Sequence, residues 1–465
     1  MRATDIGFLA EVSGGKLLGE KKNTITNVVI DSRAAGAASL FVCVVGEKNN
    51  GHDYWEKAYE LGCRAFLMSD PAVAAAAAEK ASVILVSDTE KGFVKMASGY
   101  LDQFSVILIG VTGSVGKTST KALTAAVLSA KYRTVCTQKN LITQLGLCLT
   151  CFLADDDTEA IVFEMGMDRK DEIHGYCEWI RPEAVLITMI GISHMERLGS
   201  RSAICDAKLE ITDYLPDGAP LFYHEDDEFL YEEEIRRRKS GNFVCCPVLG
   251  PHGQMTLSDV LDHGLDGISF VLSCGEETQH FRLPLLGLHN ARNAALACAV
   301  GLHYGVSLKM AAEKLCLAES GERRLNAENV GGICLIDDSY NAAPDSMIAA
   351  IDVLAGIECE RRIAVLSDMR ELGDGEAEGH RRVGRRAAEQ KIEYLLFVGE
   401  KTNLYLEGVN EIGFEGECCL SYASTEDAIR ALAAFLKKGD AVLVKGSNAT
   451  HISDAAGFIR EEYSK

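Results

Sequence analysis

A glycine-rich stretch carries the clearest chemical signal in the sequence. Its residues are Gly110, Val111, Thr112, Gly113, Ser114, Val115, Gly116, Lys117, Thr118 and Ser119. Glycines let backbone N–H groups wrap closely around phosphate oxygens, and the start of a following helix adds partial positive charge. Lys117 is suited to neutralise the outer phosphates, and the Thr118 hydroxyl to coordinate magnesium. The stretch therefore predicts a nucleoside triphosphate site.

Strand and helix patterns flank this stretch. The apolar run 106–109 is typical of a buried strand, and apolar residues recur at helical spacing from Leu123 to Ala130. A strand, a glycine loop and a helix start form the context in which a phosphate loop works. The strict pattern has a glycine where Val111 stands. A glycine turn with a surface lysine is the alternative interpretation.

Two polar side chains follow predicted strands further along the chain. Glu164 follows the apolar run 160–163, and His194 follows the run 184–190. Because ligands of open α/β sheets bind at the carboxyl ends of strands, both residues are expected near the glycine loop. An acidic residue in this position is typical of a magnesium ligand, and a structural salt bridge is the alternative for Glu164. His194 is either a ligand or a core histidine.

The first hundred residues contain a candidate anion site. Strands are predicted over 25–30 and 40–45, each followed by a polar loop. Ser32, Arg33 and His52 lie in these loops and could bind a small anion, although turns with solvated charges give the same pattern. Asp53 is expected to cap the next helix, and Gly62 to end it.

The last third of the chain alternates strands with helices. Helical stretches separate apolar runs at 333–336, 363–366, 395–398 and 441–444, which predicts a doubly wound parallel sheet. Polar residues follow these runs, but no glycine fingerprint follows the first one. The segment is therefore expected to present strand-end side chains to a ligand held by its neighbour, and to close over that ligand.

Composition restricts the classes of partner. A chain of 465 residues predicts about three domains. Its 47 basic and 68 acidic side chains, net −21, argue against nucleic acid or anionic membrane as a partner. No apolar run has the length of a membrane span or of a signal peptide core, so the 16 cysteines indicate reduced thiols in a cytoplasm. Cys148 and Cys151 favour ordinary packing over a metal or redox site.

Three motifs together resemble the Mur ligases, ATP-dependent enzymes that extend the peptide stem of the cell-wall precursor. They are the stretch 110–118, Leu288-His289-Asn290-Ala291-Arg292-Asn293, and Asp337-Asp338-Ser339-Tyr340-Asn341-Ala342-Ala343-Pro344. The resemblance covers essentially the whole chain and implies an α/β protein of three domains. These are a small N-terminal UDP-binding domain (1–102), a central P-loop ATPase-type parallel sheet (103–321) and a C-terminal Rossmann-like ligase domain (322–465).

The resemblance also implies the residues of the site. ATP and two Mg²⁺ ions are expected, with Lys117, Glu164, His194 and Lys208 as catalytic residues and Thr118, Glu164, His194 and Lys208 at the metals. Lys208 matches the lysine that the family carbamylates; a carbamate turns an ammonium into an anion that supports the second magnesium, and an unmodified surface lysine is the alternative. The nucleotide is expected to contact 112–119, His289, Asn290, Asn293, Arg324, Asp338, Tyr340 and Asn341. The other substrates are expected to contact Ser32, Arg33, Gly51, His52, Lys445 and Ser447.

Within the family, several stretches resemble the member that adds D-alanyl-D-alanine to the carboxylate of UDP-N-acetylmuramoyl-tripeptide. They are 31–33 with 51–53, Ser346-Met347, 368–373 and 445–447. This resemblance implies an acyl-phosphate intermediate, with the pentapeptide, ADP and phosphate as products in peptidoglycan precursor synthesis. Small molecules are the only expected partners, and the enzyme is expected to be a cytoplasmic monomer without a membrane span.

Two departures from the family pattern concern the substrate. Ile142-Thr143 stands where an Asn-Asn pair is usual, and Ala343 stands where an asparagine is common. A related ligase with a different amino donor or acceptor therefore stays open, as does an inactive nucleotide-binding relative. The retained phosphate and metal residues argue against the inactive relative, because a scaffold has no need for metal sites. A phosphate-loop motor or kinase would leave the first segment without a role.

Overall fold

Each of three successive stretches of the chain forms its own sheet of five or six strands, because short apolar runs alternate with helices that cover them. The computed structural model describes residues 1–464. The predicted α/β fold class is confirmed. None of the helices within residues 1–464 combines the length and the apolar character needed to cross a bilayer.

The N-terminal stretch forms a five-stranded sheet. The stretch contains seven strands, five of which form this sheet. They are β1 (Thr4–Asp5), β2 (Lys16–Gly19), β3 (Thr24–Ile25), β4 (Asn27–Val29), β5 (Ser39–Val42), β6 (Ala65–Met68) and β7 (Ser82–Leu85). Its helices are α1 (Ile6–Ser13), α2 (Trp55–Glu60), α3 (Pro71–Ala78) and α4 (Thr89–Leu101). The sheet order is β2-β7-β6-β5-β4, parallel except for β2, while β1 and β3 form a separate antiparallel pair.

Local details of this stretch differ from the sequence prediction. The observed strands β4 and β5 are shorter than the predicted strands 25–30 and 40–45. The prediction that Asp53 caps α2 is wrong, because Tyr54 occupies the cap position with no side-chain hydrogen bond. Asn50 instead caps the 3-10 turn that precedes α2. Gly62 follows the helix end with a φ of 101°, as predicted for a terminating glycine.

The central stretch forms a six-stranded parallel sheet. Its strands are β8 (Ile107–Thr112), β9 (Thr134–Cys136), β10 (Ala160–Glu164), β11 (Ala184–Ile187), β12 (Pro220–Tyr223) and β13 (Val244–Pro247). Its helices are α5 (Lys117–Leu128), α6 (Gln144–Cys151), α7 (Glu172–Ile180), α8 (Met195–Leu198), α9 (Arg201–Leu209), α10 (Glu232–Arg238), α11 (His289–His303) and α12 (Leu308–Leu315). The order β13-β12-β11-β8-β10-β9 places the carboxyl ends of β10 and β11 on either side of the glycine loop that follows β8.

An antiparallel meander interrupts the central stretch and was not predicted. It consists of β14 (Thr256–Asp262), β15 (Ile268–Cys274) and β16 (Glu277–Leu283). Alternate residues of β15 and β16, such as Phe270 and Phe281, are buried in the same core as α11 and α12. Burial alternates along β16 but is irregular along β14 and β15, so the period-two signal that predicts such a sheet is weak here.

The C-terminal stretch forms a second six-stranded sheet. Its strands are β17 (Asn326–Val330), β18 (Ile333–Asp338), β19 (Arg361–Ser367), β20 (Tyr394–Val398), β21 (Cys418–Tyr422) and β22 (Asp440–Lys445). Its helices are α13 (Pro344–Gly356), α14 (Glu376–Glu389), α15 (Thr402–Ile412), α16 (Thr425–Phe435) and α17 (Ser453–Tyr463). The order is β17-β18-β22-β19-β20-β21, and all pairs are parallel except the edge strand β17.

One apolar core joins the first two sheets. Phe93 and Tyr100 of α4 pack on Phe152, which follows α6. Cys148 and Cys151 of α6 are fully buried in this core, where ordinary packing accounts for them. The Tyr100 hydroxyl donates a hydrogen bond of 2.7 Å to the Ala154 carbonyl and so satisfies its polar group at this boundary.

Candidate active site

The glycine loop lies at the carboxyl end of β8, in the interior of the central sheet. The buried Thr112 ends this strand, and its hydroxyl donates a hydrogen bond to the Met165 carbonyl. Gly113 has a φ of 148°, and a Cβ at this position would lie 1.8 Å from the Thr188 hydroxyl oxygen. Gly116 starts α5 with a φ of 86°. Both positions require glycine, and together they shape the turn that leads into the start of α5.

Glu164 contacts the first turn of α5 from the neighbouring strand β10. The Thr118 hydroxyl donates a hydrogen bond of 2.8 Å to Glu164 Oε1. The Lys121 Nζ lies 3.2 Å from Oε2, yet Oε2 has no aligned hydrogen-bond partner among residues 1–464. Glu164 and Lys121 are both buried. A carboxylate oxygen with a free lone pair beside a hydroxyl is a donor set that suits Mg²⁺.

The Lys117 side chain folds back over the loop. Its Nζ donates hydrogen bonds of 2.8 Å and 3.2 Å to the carbonyl oxygens of Gly113 and Ser114. Burial lowers the pKa of Lys117, and the Glu164 carboxylate opposes this shift. The ammonium therefore lies where phosphate oxygens could replace the two carbonyls as its acceptors.

Lys208 is a buried lysine in the last turn of α9. It is 1% exposed, and its Nζ makes no hydrogen bond or ion pair with any residue in the described part of the chain. Burial lowers the pKa of Lys208 well below the usual range, and the positive charge of Lys117 adds to this effect. A buried ammonium without an anion is costly. The alternative of a surface lysine is therefore wrong, because Lys208 is buried.

His194 joins the central stretch to the C-terminal one. It precedes α8 in a left-handed conformation, with a φ of 65°. Its Nδ1 lies 2.7 Å from Glu371 Oε2 and 3.3 Å from Asp168 Oδ1. These three side chains offer ligand atoms that all lie within 4.8 Å of one another. His194 is thus a polar junction residue, not a core histidine.

The C-terminal sheet contributes a buried ion pair. Lys445 at the end of β22 donates a hydrogen bond of 2.6 Å to Asp338 Oδ2 at the end of β18, and one of 2.9 Å to the Asn341 carbonyl. The Arg324 guanidinium carbon lies 4.2 Å from the centre of the Tyr340 ring. Asp338 belongs to the strand itself, because β18 extends two residues beyond the predicted run 333–336.

The start of α11 packs against the glycine loop. Asn290 Nδ2 donates a hydrogen bond to the Leu286 carbonyl, and Asn293 Nδ2 donates one to Asn290 Oδ1. The Asn293 Oδ1 atom lies 2.9 Å from the position that a Cβ on Gly116 would take. Burial and the nearby Lys445 ammonium lower the pKa of His289 to about 4. This imidazole is therefore neutral at physiological pH.

A cavity of 1280 Å³ brings most of the predicted site residues together. Residues of the central and C-terminal stretches form most of its lining, and Glu90 of α4 adds a side chain from the N-terminal stretch. The predicted residues that line it are Ser114, Val115, Gly116, Lys117, Thr118, Ser119, Glu164, His194, His289, Asn290, Asn293, Arg324, Asp338, Tyr340, Asn341 and Lys445. Ser447 lines a separate space of 130 Å³ with His194 and Asn341.

Four predicted substrate residues lie outside this cavity, in the N-terminal stretch. The His52 Nε2 accepts hydrogen bonds from the backbone N–H groups of Ser69 and Asp70, and Nδ1 lies 2.8 Å from Asn50 Oδ1. Both ring nitrogens are thus engaged, so His52 holds loops together and has no free nitrogen for an anion.

The other three residues are Gly51, which precedes His52 in the sequence, and Ser32 and Arg33, which lie in the loop after β4. Ser32 is buried, whereas Arg33 is exposed and forms an ion pair with Asp31. Gly51 lies against the backbone, since a Cβ there would come within 2.7 Å of Cys43 and Val44 backbone atoms.

Several cavity residues were missed by the sequence prediction. His224 follows β12 and is buried; its Nε2 lies 3.1 Å from the Arg292 carbonyl, and its Nδ1 has no partner among residues 1–464. Its position after a strand of the parallel sheet is the signal that could have found it. Asp168 carries no comparable local signal, and Glu371, which lines the smaller space, lies in the family-like stretch 368–373, but only the fold brings both residues to His194.

The sequence matches three Mur ligase domain families in order along the chain. They are described as "Mur ligase family, catalytic domain" over 24–100, "Mur ligase middle domain" over 111–301 and "Mur ligase, glutamate ligase domain" over 323–448. The UDP-N-acetylmuramoyl-tripeptide–D-alanyl-D-alanine ligase of Bacillus subtilis (strain 168) is 35% identical over 450 residues, which cover 96% of each chain. The enzyme of the same name from Synechocystis is 30% identical and covers 91% of this chain and 90% of its own.

Solved structures show the same architecture. A MurF crystal structure from Acinetobacter baumannii superposes with a TM-score of 0.86 and 26% identity, covering 99% of this chain and 100% of its own. A MurF ligase from Thermotoga maritima, solved in complex with ADP, shares the fold with a TM-score of 0.77 and 24% identity over 94% and 97% of the two chains. With matching domain families in order and 35% identity across nearly all of both chains, this chain belongs to the Mur ligase family.

Proposed function

We propose that this enzyme uses ATP to join D-alanyl-D-alanine to the terminal carboxylate of a UDP-N-acetylmuramoyl-tripeptide. Relatives with this activity in their names align with 35% and 30% identity over most of the chain. The observation that carries the proposal is the single cavity shared by Lys117 of the glycine loop, Glu164 of β10 and Arg324 of the C-terminal stretch. A ligase needs this convergence, because the triphosphate and the carboxylate that it activates must meet in one place.

The glycine loop is the proposed triphosphate site. Backbone N–H groups at the start of α5 and the Lys117 ammonium would bind the phosphates, and Thr112 and Gly113 would set the shape of the loop. Arg324, Asp338, Tyr340 and Asn341 would contact the ribose and phosphates from the opposite wall. His289, Asn290 and Asn293 at the start of α11 would contact the adenine, and the neutral imidazole of His289 would add no charge there.

Thr118 and Glu164 fit a magnesium ion, since Glu164 Oε2 has no aligned hydrogen bond within residues 1–464. His194 and Lys208 would hold a second ion. Bound magnesium supplies charge screening between the phosphates and the incoming carboxylate. We propose that Lys208 carries a carbamate: its buried, uncharged amine adds to the carbon of CO₂, a proton leaves, and the product is an anion. This replaces a buried amine, whose charged form has no counter-ion within residues 1–464, by a group that cations attract.

The proposed reaction has two steps. A carboxylate oxygen of the tripeptide attacks the γ-phosphorus, the bond to ADP breaks, and an acyl phosphate forms. The neutral amine of D-alanyl-D-alanine then attacks the carbonyl carbon, and the tetrahedral intermediate expels phosphate and loses a proton. Lys117 and Arg324 would stabilise charge on the transferred phosphoryl group. The C-terminal sheet would exclude water from the acyl phosphate.

The uridine nucleotide is proposed to bind the N-terminal stretch. The loops that hold Ser32, Arg33 and Gly51 supply the contacts, and His52 acts as a positioning residue because its nitrogens are engaged with neighbouring loops. Lys445 and Ser447 are proposed to contact the dipeptide or the acyl group. The three domains are proposed to meet near residues 102 and 322. A monomeric state is also proposed, as is a location in the cytoplasm, where ATP is available.

The direct test is phosphate release with ATP, Mg²⁺ and UDP-linked tripeptide. Release should depend on D-alanyl-D-alanine and should not occur with D-alanine or L-alanyl-L-alanine. Lys117→Ala should abolish release without a change in circular dichroism. Release with a single amino acid would favour the second candidate, a ligase with another amino donor, for which the Ile142-Thr143 wall of the cavity is the supporting observation.

A further inference from the structure

One end of the cavity has an apolar wall. Ile142 and Leu145 line it at the start of α6, together with Met167 beyond β10. The Ile142 carbonyl accepts a hydrogen bond from the Gly166 N–H, and its side chain packs so closely that a Cβ on Gly166 would lie 2.5 Å from Ile142 Cδ1. Apolar side chains at this wall favour an aliphatic group in the space beside them.

This wall adjoins the phosphoryl-transfer site. Gly166 lies two residues beyond Glu164, whose Oε1 accepts the hydrogen bond of Thr118. In the proposed reaction the activated carboxylate belongs to the third residue of the tripeptide. The side chain of that residue therefore starts one carbon away from the reacting atom, and a lysine-like chain reaches about 6 Å further. Such a chain can extend along the Ile142 wall.

Tyr176 of α7 places a polar group in the same space. The residue is 6% exposed and lines the cavity. Burial raises the pKa of its hydroxyl, which therefore keeps its proton and can donate a hydrogen bond to a ligand in this space.

Burial is the main cause of the raised pKa of Tyr176, and the carboxylates of Glu172, Asp168 and Glu90 add to it. All three line the cavity. An acidic residue in the first turn of a helix is favoured by the helix dipole, and Glu90 occupies such a position in α4. Its carboxylate also accepts a hydrogen bond of 3.3 Å from Gln144 Nε2 in α6, which belongs to the central stretch. Because Asp168 forms an ion pair with Arg197, Glu90 and Glu172 supply the negative charge at the rim beside the apolar wall.

Resting on the proposed function, we infer that this space selects the third residue of the stem peptide. It receives an unbranched alkyl chain that ends in an ammonium, as in lysine, and disfavours one that also carries a carboxylate, as in diaminopimelate. Ile142 and Leu145 pack on the methylene groups, while the rim attracts the ammonium and repels the added carboxylate. The two side chains differ by that one carboxylate, so the discrimination is electrostatic.

The test compares kcat/KM for the lysine and the diaminopimelate tripeptides, with ATP and D-alanyl-D-alanine saturating. We expect the lysine peptide to be favoured about tenfold at low salt, and less at high salt, because Glu90 is exposed to screening. Glu90→Gln should reduce the preference about threefold and Glu90→Lys should abolish or invert it. Glu60→Lys is the matched control, since Glu60 is exposed on α2 outside the cavity.

The outcomes separate this inference from the proposed function. Equal use of both peptides, or a preference for diaminopimelate, would overturn the inference and leave the ligase reaction established. A lysine preference that survives Glu90→Lys, with an unchanged KM for ATP, would overturn the electrostatic origin and thus the inference. Turnover of neither peptide would contradict the proposed function and this inference together.

Discussion

The Thr118 hydroxyl donates a 2.8 Å hydrogen bond to Glu164 Oε1 and thereby links the first turn of α5 to the end of β10. Lys121, one turn further along α5, lies 3.2 Å from the other oxygen of the same carboxylate. Glu164 therefore connects the phosphate loop to the sheet through both of its oxygens. This geometry separates two functions of the residue, one in the proposed metal site and one in stability.

Substitutions at Thr118 and Glu164 should have different effects on stability. Glu164→Gln leaves the buried Lys121 ammonium without its anion and should lower the free energy of unfolding by about 3 kcal/mol. Thr118→Ala removes one hydrogen bond and should cost about 1 kcal/mol. Both should lower kcat at least about 100-fold. Urea unfolding and phosphate release measure the two effects, and equal stability losses would contradict the buried pair.

The Lys445–Asp338 pair should behave as one unit. Lys445→Met leaves the buried Asp338 carboxylate unpaired and should destabilise the protein by about 3 kcal/mol. Adding Asp338→Asn removes the orphan charge and keeps an acceptor for the Leu325 N–H, so much of the stability should return. A double-mutant cycle in thermal unfolding measures this coupling. Additive losses would show that the two groups do not stabilise each other.

Carbamylation of Lys208 has a readout that is independent of activity. Wild-type protein incubated with ¹³C-bicarbonate should show a protein-bound carbamate carbon in its NMR spectrum, and Lys208→Met should not. Lys208→Met should fold at least as stably, because it removes a buried lysine that has no ionic partner within the described chain. Its activity should fall at least about 100-fold. Full activity of Lys208→Met would argue against any role in the reaction.

His224 should contribute to acid sensitivity. Burial lowers its pKa to about 4 in the folded protein, so the folded state binds fewer protons at His224 than the unfolded chain. Stability is therefore lost as pH falls from about 6.5 towards 4, by about 2 kcal/mol at pH 5. His224→Asn should flatten this part of the pH dependence in urea unfolding. His280→Asn, on the exposed side of β16, is the control and should leave the slope unchanged.

Much of the fold followed from local patterns. The strand before the glycine loop, the helix after it and the four apolar runs of the last third lie where the sequence predicted them. The meander 256–283 and the edge strands β17 and β21 were missed, because half-exposed strands carry weak apolar signals. The cap at Asp53 was wrong because Asn50 makes the local hydrogen bond that defines this turn.

The sequence by itself determined the phosphate loop and the alternation of strands and helices, because these depend on neighbouring residues and on backbone preferences. Only the tertiary structure decided that Lys208 is buried without a counter-ion among residues 1–464, that His194 meets Glu371, and that both nitrogens of His52 bind neighbouring loops. Those facts depend on side chains that are far apart in the chain and meet only when the sheets pack together. Burial then sets the energetic cost of each charge, which no local pattern records.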